Sequence, residues 1–432
     1  MRNFRKTSGG RGTLKLIELF KYIDENAWEK TDADPISLLN QVSYERFVEL
    51  ENNLTFIEYY NKVVSKFKSY MSQKNTEEGR GIAYFSMEFG ISNNLKIYSG
   101  GLGILAGDYL KQASDSNSDM VGVGIYYKYG YFGQSLSVQG DQQVNYIEQN
   151  PNTSAATLLK DASGKPVQVE IAFPGRVVKI QIWKVKVGRI DLFLLDTDRH
   201  DNTTDDRGLT AHLYGGDHNY RLQQEIILGI GGIRALERLG IQKDIYHLNE
   251  GHAAFAGIER INTLMKKEKL KFSESLEIVR SSSLFTTHTP VPAGHDAFSE
   301  DLVMSYLGHY PERLKISWDE FMDLGRSRPG KKEEHFSMSF LAANLSQEIN
   351  GVSKLHGEVT KDMFNKLWEG YFAEESHIGY VTNGVHLSSW TSDNWLKLYK
   401  QALGENFLAD QSSEATWKNI YQVDNKQNLG IP

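Results

Sequence analysis

Asn249, Glu250 and His252, in the run "YHLNEGHAAFA", are polar and titratable side chains bunched where an apolar strand gives way to a helix. Two further clusters have the same character: Thr286, Thr287, His288 and Thr289 in "SLFTTHTPVPAGHDAF", and Thr382, Asn383 and His386 in "HIGYVTNGVHLSSW". Three chemistries compete for them. A metal could draw on His247, His252, His288 and His295, but no HExxH pattern is present and these histidines fall on separate loops, so no metal site is expected. A two-carboxylate glycosidase needs an acid and a base or nucleophile about 5–9.5 Å apart; Glu250 is one candidate and no second is evident. A neutral, hydroxyl-rich ligand is the third, because Asn, His, Glu and Thr around a pocket suit a sugar. The bland alternative for Glu250 is a carboxylate satisfied by a helix dipole. His212, His218 and His356 read as structural.

A fourth feature is a bare backbone. "YSGGLGILAGDYLKQASD", Tyr98 to Asp115, carries Gly100, Gly101, Gly103 and Gly107 into a helix. Such a loop can offer several N–H groups to one anion, since no Cβ blocks the approach. It can equally serve close packing of a strand on a helix. It is not a Walker loop, and it misses the dinucleotide fingerprint because three residues, not two, separate Gly103 from Gly107.

The elements that must position these groups follow from periodicity. Residues 14 to 72 read as helical, with Leu16, Leu19, Phe20 and Ile23, then Phe56, Tyr59, Tyr60 and Val63, at helical spacing. "SQKNTEEGRG" is a polar boundary, and "IAYFSMEF" a buried strand. Residues 165–197 alternate and are punctuated by Pro-Gly and Val-Gly-Arg, which predicts a three-stranded β-meander. Beyond Asn219 strand and helix patterns alternate, implying a parallel sheet. "SMSFLAANLSQEINGVSKLHGEV" reads as helix, an Asn350-Gly351 stop, then another element. Open parallel sheets bind ligands beyond the carboxyl ends of their strands, where the polar clusters should fall.

Composition narrows the function. The 432 residues have a formal charge of −7, so no basic excess is available to neutralise nucleic acid phosphates. No apolar run is long enough for a membrane span. The absence of cysteine removes thiolate chemistry and fits a cytoplasmic protein.

Six ordered motifs then carry a resemblance: "AYFSMEFGISNNLKIYSGGLGILAGD", "YRLQQE", "YHLNEGHAAFA", "TTHTPVPAGHDAF", "NGVSKLHGEV" and "VTNGVH". The chain resembles the α-glucan phosphorylases of glycogen, starch and maltodextrin, in their shorter bacterial branch, from about Ile82 to Trp390. The resemblance implies an α/β chain forming the N-terminal Rossmann-like lobe of a GT-B glycosyltransferase, with a helical N-terminal segment and a β-meander insertion. The implied division is 1–78 helical, 79–400 lobe, and 401–432 the start of a linker to a C-terminal lobe. The implied reaction moves a terminal α-1,4-linked glucose onto inorganic phosphate, giving glucose 1-phosphate, with pyridoxal phosphate as cofactor.

By the same resemblance, Glu250 and His252 take the catalytic positions. Glu88, Gly100, Gly101 and Leu102 line the phosphate and the glucose, and Gly100 and Gly101 also meet the cofactor. Gln347 stands where larger phosphorylases have a histidine that contacts the sugar. The Schiff-base lysine and the basic phosphate clamp belong to the family's C-terminal lobe, so the 432 residues are expected to need that lobe, in cis or in trans, and to be inactive alone. The complete form is expected to be a homo-oligomer acting on α-1,4-glucan and phosphate, with no nucleic acid or membrane partner. A nucleotide-sugar transferase of the glycogen synthase kind, or a non-catalytic glucan-binding protein, are the competing expectations.

Overall fold

The computed structural model describes residues 7–8, 13–31, 34–73, 79–151, 154–291, 294–404, 407–408 and 410–423. Its first part is helical: α1 (Thr13–Ile23), α2 (Glu25–Lys30), α3 (Pro35–Gln41), α4 (Tyr44–Glu51) and α5 (Leu54–Ser72). The apolar spacing alone would run these together. Polar caps divide them: the side chains of Asp24, Asp34, Ser43 and Asn53 each accept from the first turn of the helix that follows. These helices enclose their own small core of Leu19, Phe20, Ile23, Trp28, Leu38, Leu50, Phe56 and Val63.

The rest is a mixed α/β body around a large, mainly parallel sheet. Its strands are β1 (Ile82–Ser86), β2 (Met120–Ile125), β3 (Gln168–Phe173), β4 (Arg176–Val187), β5 (Ile190–Asp196), β6 (Ile245–Asn249), β7 (Ser283–Thr286), β8 (Glu348–Gly351) and β9 (Gly379–Tyr380). They lie in the order β4-β5-β2-β1-β6-β7-β8-β9, parallel from β5 onward; β4 is antiparallel to β3 and β5, and two further two-residue strands complete the eleven-stranded sheet against it, Thr7–Ser8 in parallel and Thr157–Leu158 antiparallel. Central strands such as β2 are apolar and wholly buried, as a sheet covered on both faces requires.

The meander over 165–197 forms as three antiparallel strands. It is not a separate insertion, because β5 continues the main sheet in parallel with β2, Val121 opposite Asp191 and Ile125 opposite Leu195. A second difference concerns Asn350-Gly351, which reads as a helix stop. Glu348–Gly351 is a strand, its ladder to β7 drawn from Leu284–Thr286, and the next helix starts only after Ser353 caps it. The strand is too short for its alternation to stand out in the sequence.

Helix α6 (Gly101–Asp115) joins β1 to β2. Helix α7 (His218–Ile226) runs through a π-helical turn, Ile227–Gly231, into α8 (Gly232–Arg238) and leads to β6. Helices α9 (Phe255–Lys267) and α10 (Phe272–Ser281) lead to β7, and α11 (Lys354–Phe364) follows β8. The chain thus builds outward from β1 on one side and returns to place β6 on the other. The helical segment is fastened to the far end of α6. Tyr70 Oη lies 2.5 Å from Ser114 Oγ and donates to Asp115 Oδ1 at 2.9 Å. The Arg189 guanidinium stacks on the Tyr70 ring at 3.8 Å.

The glycines of α6 divide by what surrounds them. A Cβ on Gly107 would lie 2.1 Å from the Gly90 carbonyl oxygen, whereas one on Gly101 would meet open space. Gly107→Ala is expected to lower the unfolding free energy by about 1–3 kcal/mol through overpacking against backbone. Gly101→Ala is expected to change it by less than about 1 kcal/mol. Urea unfolding of the two variants checks both.

Candidate functional site

Between β1 and β6 the strand order reverses, and the crevice beyond the carboxyl ends of two such strands is where open α/β sheets hold ligands. Three segments meet there: Met87–Glu88 after β1, the start of α6, and Glu250–His252 after β6.

Glu88 is 2% exposed. Its carboxylate accepts from the backbone N–H of Ser99 at 2.6 Å and of Gly100 at 3.3 Å. It also accepts from Ser99 Oγ at 3.2 Å and Tyr214 Oη at 2.6 Å. An acid from the end of β1 therefore caps the approach to α6. The first bond inside the helix runs from Ile104 N–H to Gly100 O at 3.2 Å. The amides of Gly101, Leu102 and Gly103, in the first turn, have no carbonyl four residues back to bond. A Cβ on Gly100 or Gly101 would meet nothing within 4 Å, so the start of the turn is open, whereas one on Gly103 would run into Tyr98 and Glu88.

Glu250 is 5% exposed and has φ +69° and ψ 172°, a backbone conformation that residues other than glycine rarely adopt. Such strain costs on the order of 1–3 kcal/mol and gathers at functional sites. It is held from two sides. Its N–H donates to Thr286 O at 2.8 Å, and its Oε1 accepts from the N–H groups of His288 at 2.5 Å and Thr289 at 3.0 Å, and from Thr289 Oγ1 at 3.1 Å. Burial raises the Glu250 pKa, and these donors pull in the opposite direction without cancelling it. His252 faces Asp296, with Nε2 3.6 Å from Oδ2, and its ring lies 6.0 Å from that of Tyr214. Burial lowers its pKa to about 4, so the ring is neutral.

Beneath these groups a polar belt ties the strand ends together. Asn249 Nδ2 donates to Ser86 Oγ at 3.0 Å, and His288 Nε2 lies 2.6 Å from Asn249 Oδ1. Thr286 Oγ1 donates to Asn350 Oδ1 at 2.9 Å while His247 Nε2 lies 2.8 Å from the same hydroxyl. With that hydroxyl proton spent on Asn350, His247 must be the donor, which fixes its proton on Nε2. Burial lowers His247 to about 3 and His288 to about 4. The four histidines weighed as metal ligands are engaged separately, and among the described residues no three His, Asp or Glu side chains form a group that could hold a metal ion. Among the described residues no helix is long and apolar enough to cross a membrane.

The structure brings Glu88, Gly100, Gly101, Leu102, Glu250 and His252 to one end of the sheet. It does not bring Gln347. That residue precedes β8 at the amino end of the strand, three positions before Asn350 and so about 10 Å from the carboxyl end. Its side chain is exposed and its N–H donates to Arg280 O, at the end of α10, at 2.9 Å. Matching a polar pair beside "NGV" fixes a position in the chain but not the direction of the strand that follows. The carboxylates of Glu88 and Glu250 are spent on holding loops, so what each presents to a ligand is the position of those loops. Tyr214 and Asp296 escape a reading by polar clusters. Tyr214 has φ +55° ahead of Gly215-Gly216, a turn signal, and Asp296 is a lone acid beside His295.

Residues 233–428 match the family model described as carbohydrate phosphorylase, and residues 13–95 match a family described only as a protein of unknown function, DUF3417. The chain is 41% identical to a glycogen phosphorylase of Mycobacterium tuberculosis over 94% of its own length and 49% of that protein's. It is 39% identical to a maltodextrin phosphorylase of Thermococcus litoralis, covering 93% of this chain and 49% of that protein. It is 34% identical to a glycogen phosphorylase of Aquifex aeolicus, covering 95% and 60%. The chain thus spans about half the length of the curated relatives it matches first.

The neutral histidines have a measurable signature. His247, His252 and His288 titrate near 3–4 in the folded protein but near 6.5 when unfolded. Between those values the unfolded state binds more protons, so stability falls as pH is lowered from about 6.5 toward 4, by at most about 1.4 kcal/mol per pH unit for each histidine. Glu250, raised by burial, contributes with the opposite sign. His247→Asn is expected to lose one proton's worth of this slope, read from urea midpoints across that range.

Proposed function

We propose, from its similarity to a glycogen phosphorylase along 94% of its length and to a maltodextrin phosphorylase along 93%, that the chain carries the glucose- and phosphate-facing side of an α-1,4-glucan phosphorylase. The proposed reaction transfers a terminal glucose from an α-1,4-glucan to inorganic phosphate, releasing glucose 1-phosphate. In this reading residues 79–400 are the N-terminal Rossmann-like lobe of a GT-B enzyme, preceded by an N-terminal segment, residues 1–78, that carries helices α1 to α5, and residues 401–432 lead toward a second lobe that closes the cleft. Turnover then requires that lobe, in cis or from another chain, and the assembled enzyme is a cytoplasmic homo-oligomer.

The observation that carries the reading is the open first turn of α6 at the point where the strand order reverses. The Gly101 and Leu102 amides are pre-aligned donors for a phosphate or sugar oxygen, and they need no rearrangement when charge develops. Gly100 is partly committed, since its N–H already reaches Glu88. Glu88 also sets a condition. A phosphate at this turn would lie near a carboxylate, so cations must come from elsewhere, and the basic clamp of the second lobe is the proposed source. On the opposite wall Glu250 and His252 are assigned to orient the reacting sugar, Glu250 by holding the His288–Thr289 backbone and His252 as a neutral imidazole.

Pyridoxal phosphate, the cofactor this family implies, would supply a phosphate group beside the substrate. Of this chain's residues, Gly100 and Gly101 fit it, because neither bears a Cβ and the space before them is open. No lysine of this chain is assigned a covalent bond to it.

Joining this chain to the C-terminal half of the Thermococcus litoralis relative is expected to give phosphate-dependent release of glucose 1-phosphate from maltodextrin. Incorporation of glucose from a nucleotide sugar, or glucan binding without turnover, would overturn the reading. In the joined enzyme Gly101→Val is expected to reduce turnover roughly a hundredfold or more, the cost of one preorganised donor of about 3–4 kcal/mol, with little change in melting temperature.

A further inference from the structure

One buried acid beside this site has no part in the glucan reading. Glu225, near the end of α7, is 0% exposed, yet neither of its carboxyl oxygens receives a hydrogen bond from a donor group among the described residues. A carboxylate so placed would lose its hydration and gain nothing in return. The group that faces it is another acid, Asp296, whose carboxyl lies within hydrogen-bonding reach. Two carboxylates in contact in a dry site cannot both stay ionised.

The donors around the pair are shared unevenly. Arg221, one turn earlier on α7, reaches Asp296 Oδ2 at 2.5 Å, and His252 Nε2 faces the same oxygen at 3.6 Å. Glu225 has neither. The negative charge therefore belongs on Asp296 and the proton on Glu225. We propose that Glu225 is a carboxylic acid in the folded protein and donates its proton to Asp296, acting through Asp296 as a positioning residue for His252. With that proton in place Asp296 is held by both Glu225 and Arg221, and the oxygen that Arg221 reaches is the one that faces the His252 ring.

The remaining charged and titratable neighbours agree. Arg221 stays charged throughout and its guanidinium lies over the Tyr214 ring at 5.5 Å. Burial pulls Asp296 upward but its hydrogen bonds with Glu225 and Arg221 hold it below the ordinary carboxylate range, burial pushes Glu225 well above that range, and His252, near 4, is neutral across the neutral range. The proposal goes beyond the glucan reading and stands whether or not that reading holds.

Infrared difference spectroscopy of the chain tests it. The wild-type minus Glu225→Gln spectrum at neutral pH is expected to show one protonated-carboxyl carbonyl band that shifts in D2O. A difference spectrum without that band overturns the proposal. Stability gives a second readout. A carboxyl raised by folding contributes stability below its ordinary pKa and loses it as pH rises toward the folded value. Glu225→Gln, which keeps the donor and cannot titrate, is therefore expected to gain in melting temperature relative to wild type as pH is raised from about 5 to about 8; a constant difference overturns the proposal. Should the Gln variant fail to fold, the wild-type minus Asp296→Asn spectrum takes its place. The acid's carbonyl band must then be displaced, because its acceptor has changed from carboxylate to amide, and an unmoved band overturns the proposal.

Discussion

The Glu88 carboxylate is the constraint on which the rest of the site depends. It leaves the end of β1, is sealed from solvent, and takes its donors from Ser99, Gly100 and Tyr214. Hydrogen bonds to a buried charge are worth about 1.5–3 kcal/mol each, and removing one partner leaves the charge exposed to its full desolvation cost. The glycine turn therefore cannot drift away from the sheet without stranding an ion. Because Tyr214 also lies under the Arg221 guanidinium and beside His252, the same carboxylate ties the α6 turn to the wall built by β6.

Around that anchor the polar groups are mostly neutral. Three histidines are kept uncharged by burial, Glu250 is pushed toward its protonated form, and the N–H groups of His288 and Thr289 are bound to it. A crevice of this kind offers directional donors and acceptors with little net charge. That suits hydroxyl-bearing ligands, whose recognition depends on geometry more than on field strength. The strained φ of Glu250 shows where the fold accepts cost to set that geometry.

The parallel sheet, the meander and the glycine turn were legible because each rests on local pattern: alternation, apolar runs, and residues without side chains. The gathering of Glu88, Gly101, Glu250 and His252 was legible because strand ends in such a sheet share one edge. Gln347 was misplaced because a four-residue strand, Glu348–Gly351, hides between two helices and sets which edge a neighbour occupies. Glu225 and Tyr214 were not legible as site residues. In sequence Glu225 is one more acid on a helix. Only the packing of α7 against the loop after β7 shows that it is dry and faces Asp296. The helical segment was read as helical, but its division by Asp24, Asp34, Ser43 and Asn53 depends on which polar residues turn back to cap.

Helix α6 is fastened at both ends, to Glu88 at the first turn and, through Ser114 and Asp115, to Tyr70 of the helical segment at the last. It is 15 residues, about 22 Å, long, and its apolar face, Ala106, Leu110 and Ala113, belongs to the core of the sheet. Between those two fastenings Gly107 lies directly on the Gly90 backbone, so the place of the Gly101 and Leu102 amides is set by the seating of the whole helix and not by its first turn alone.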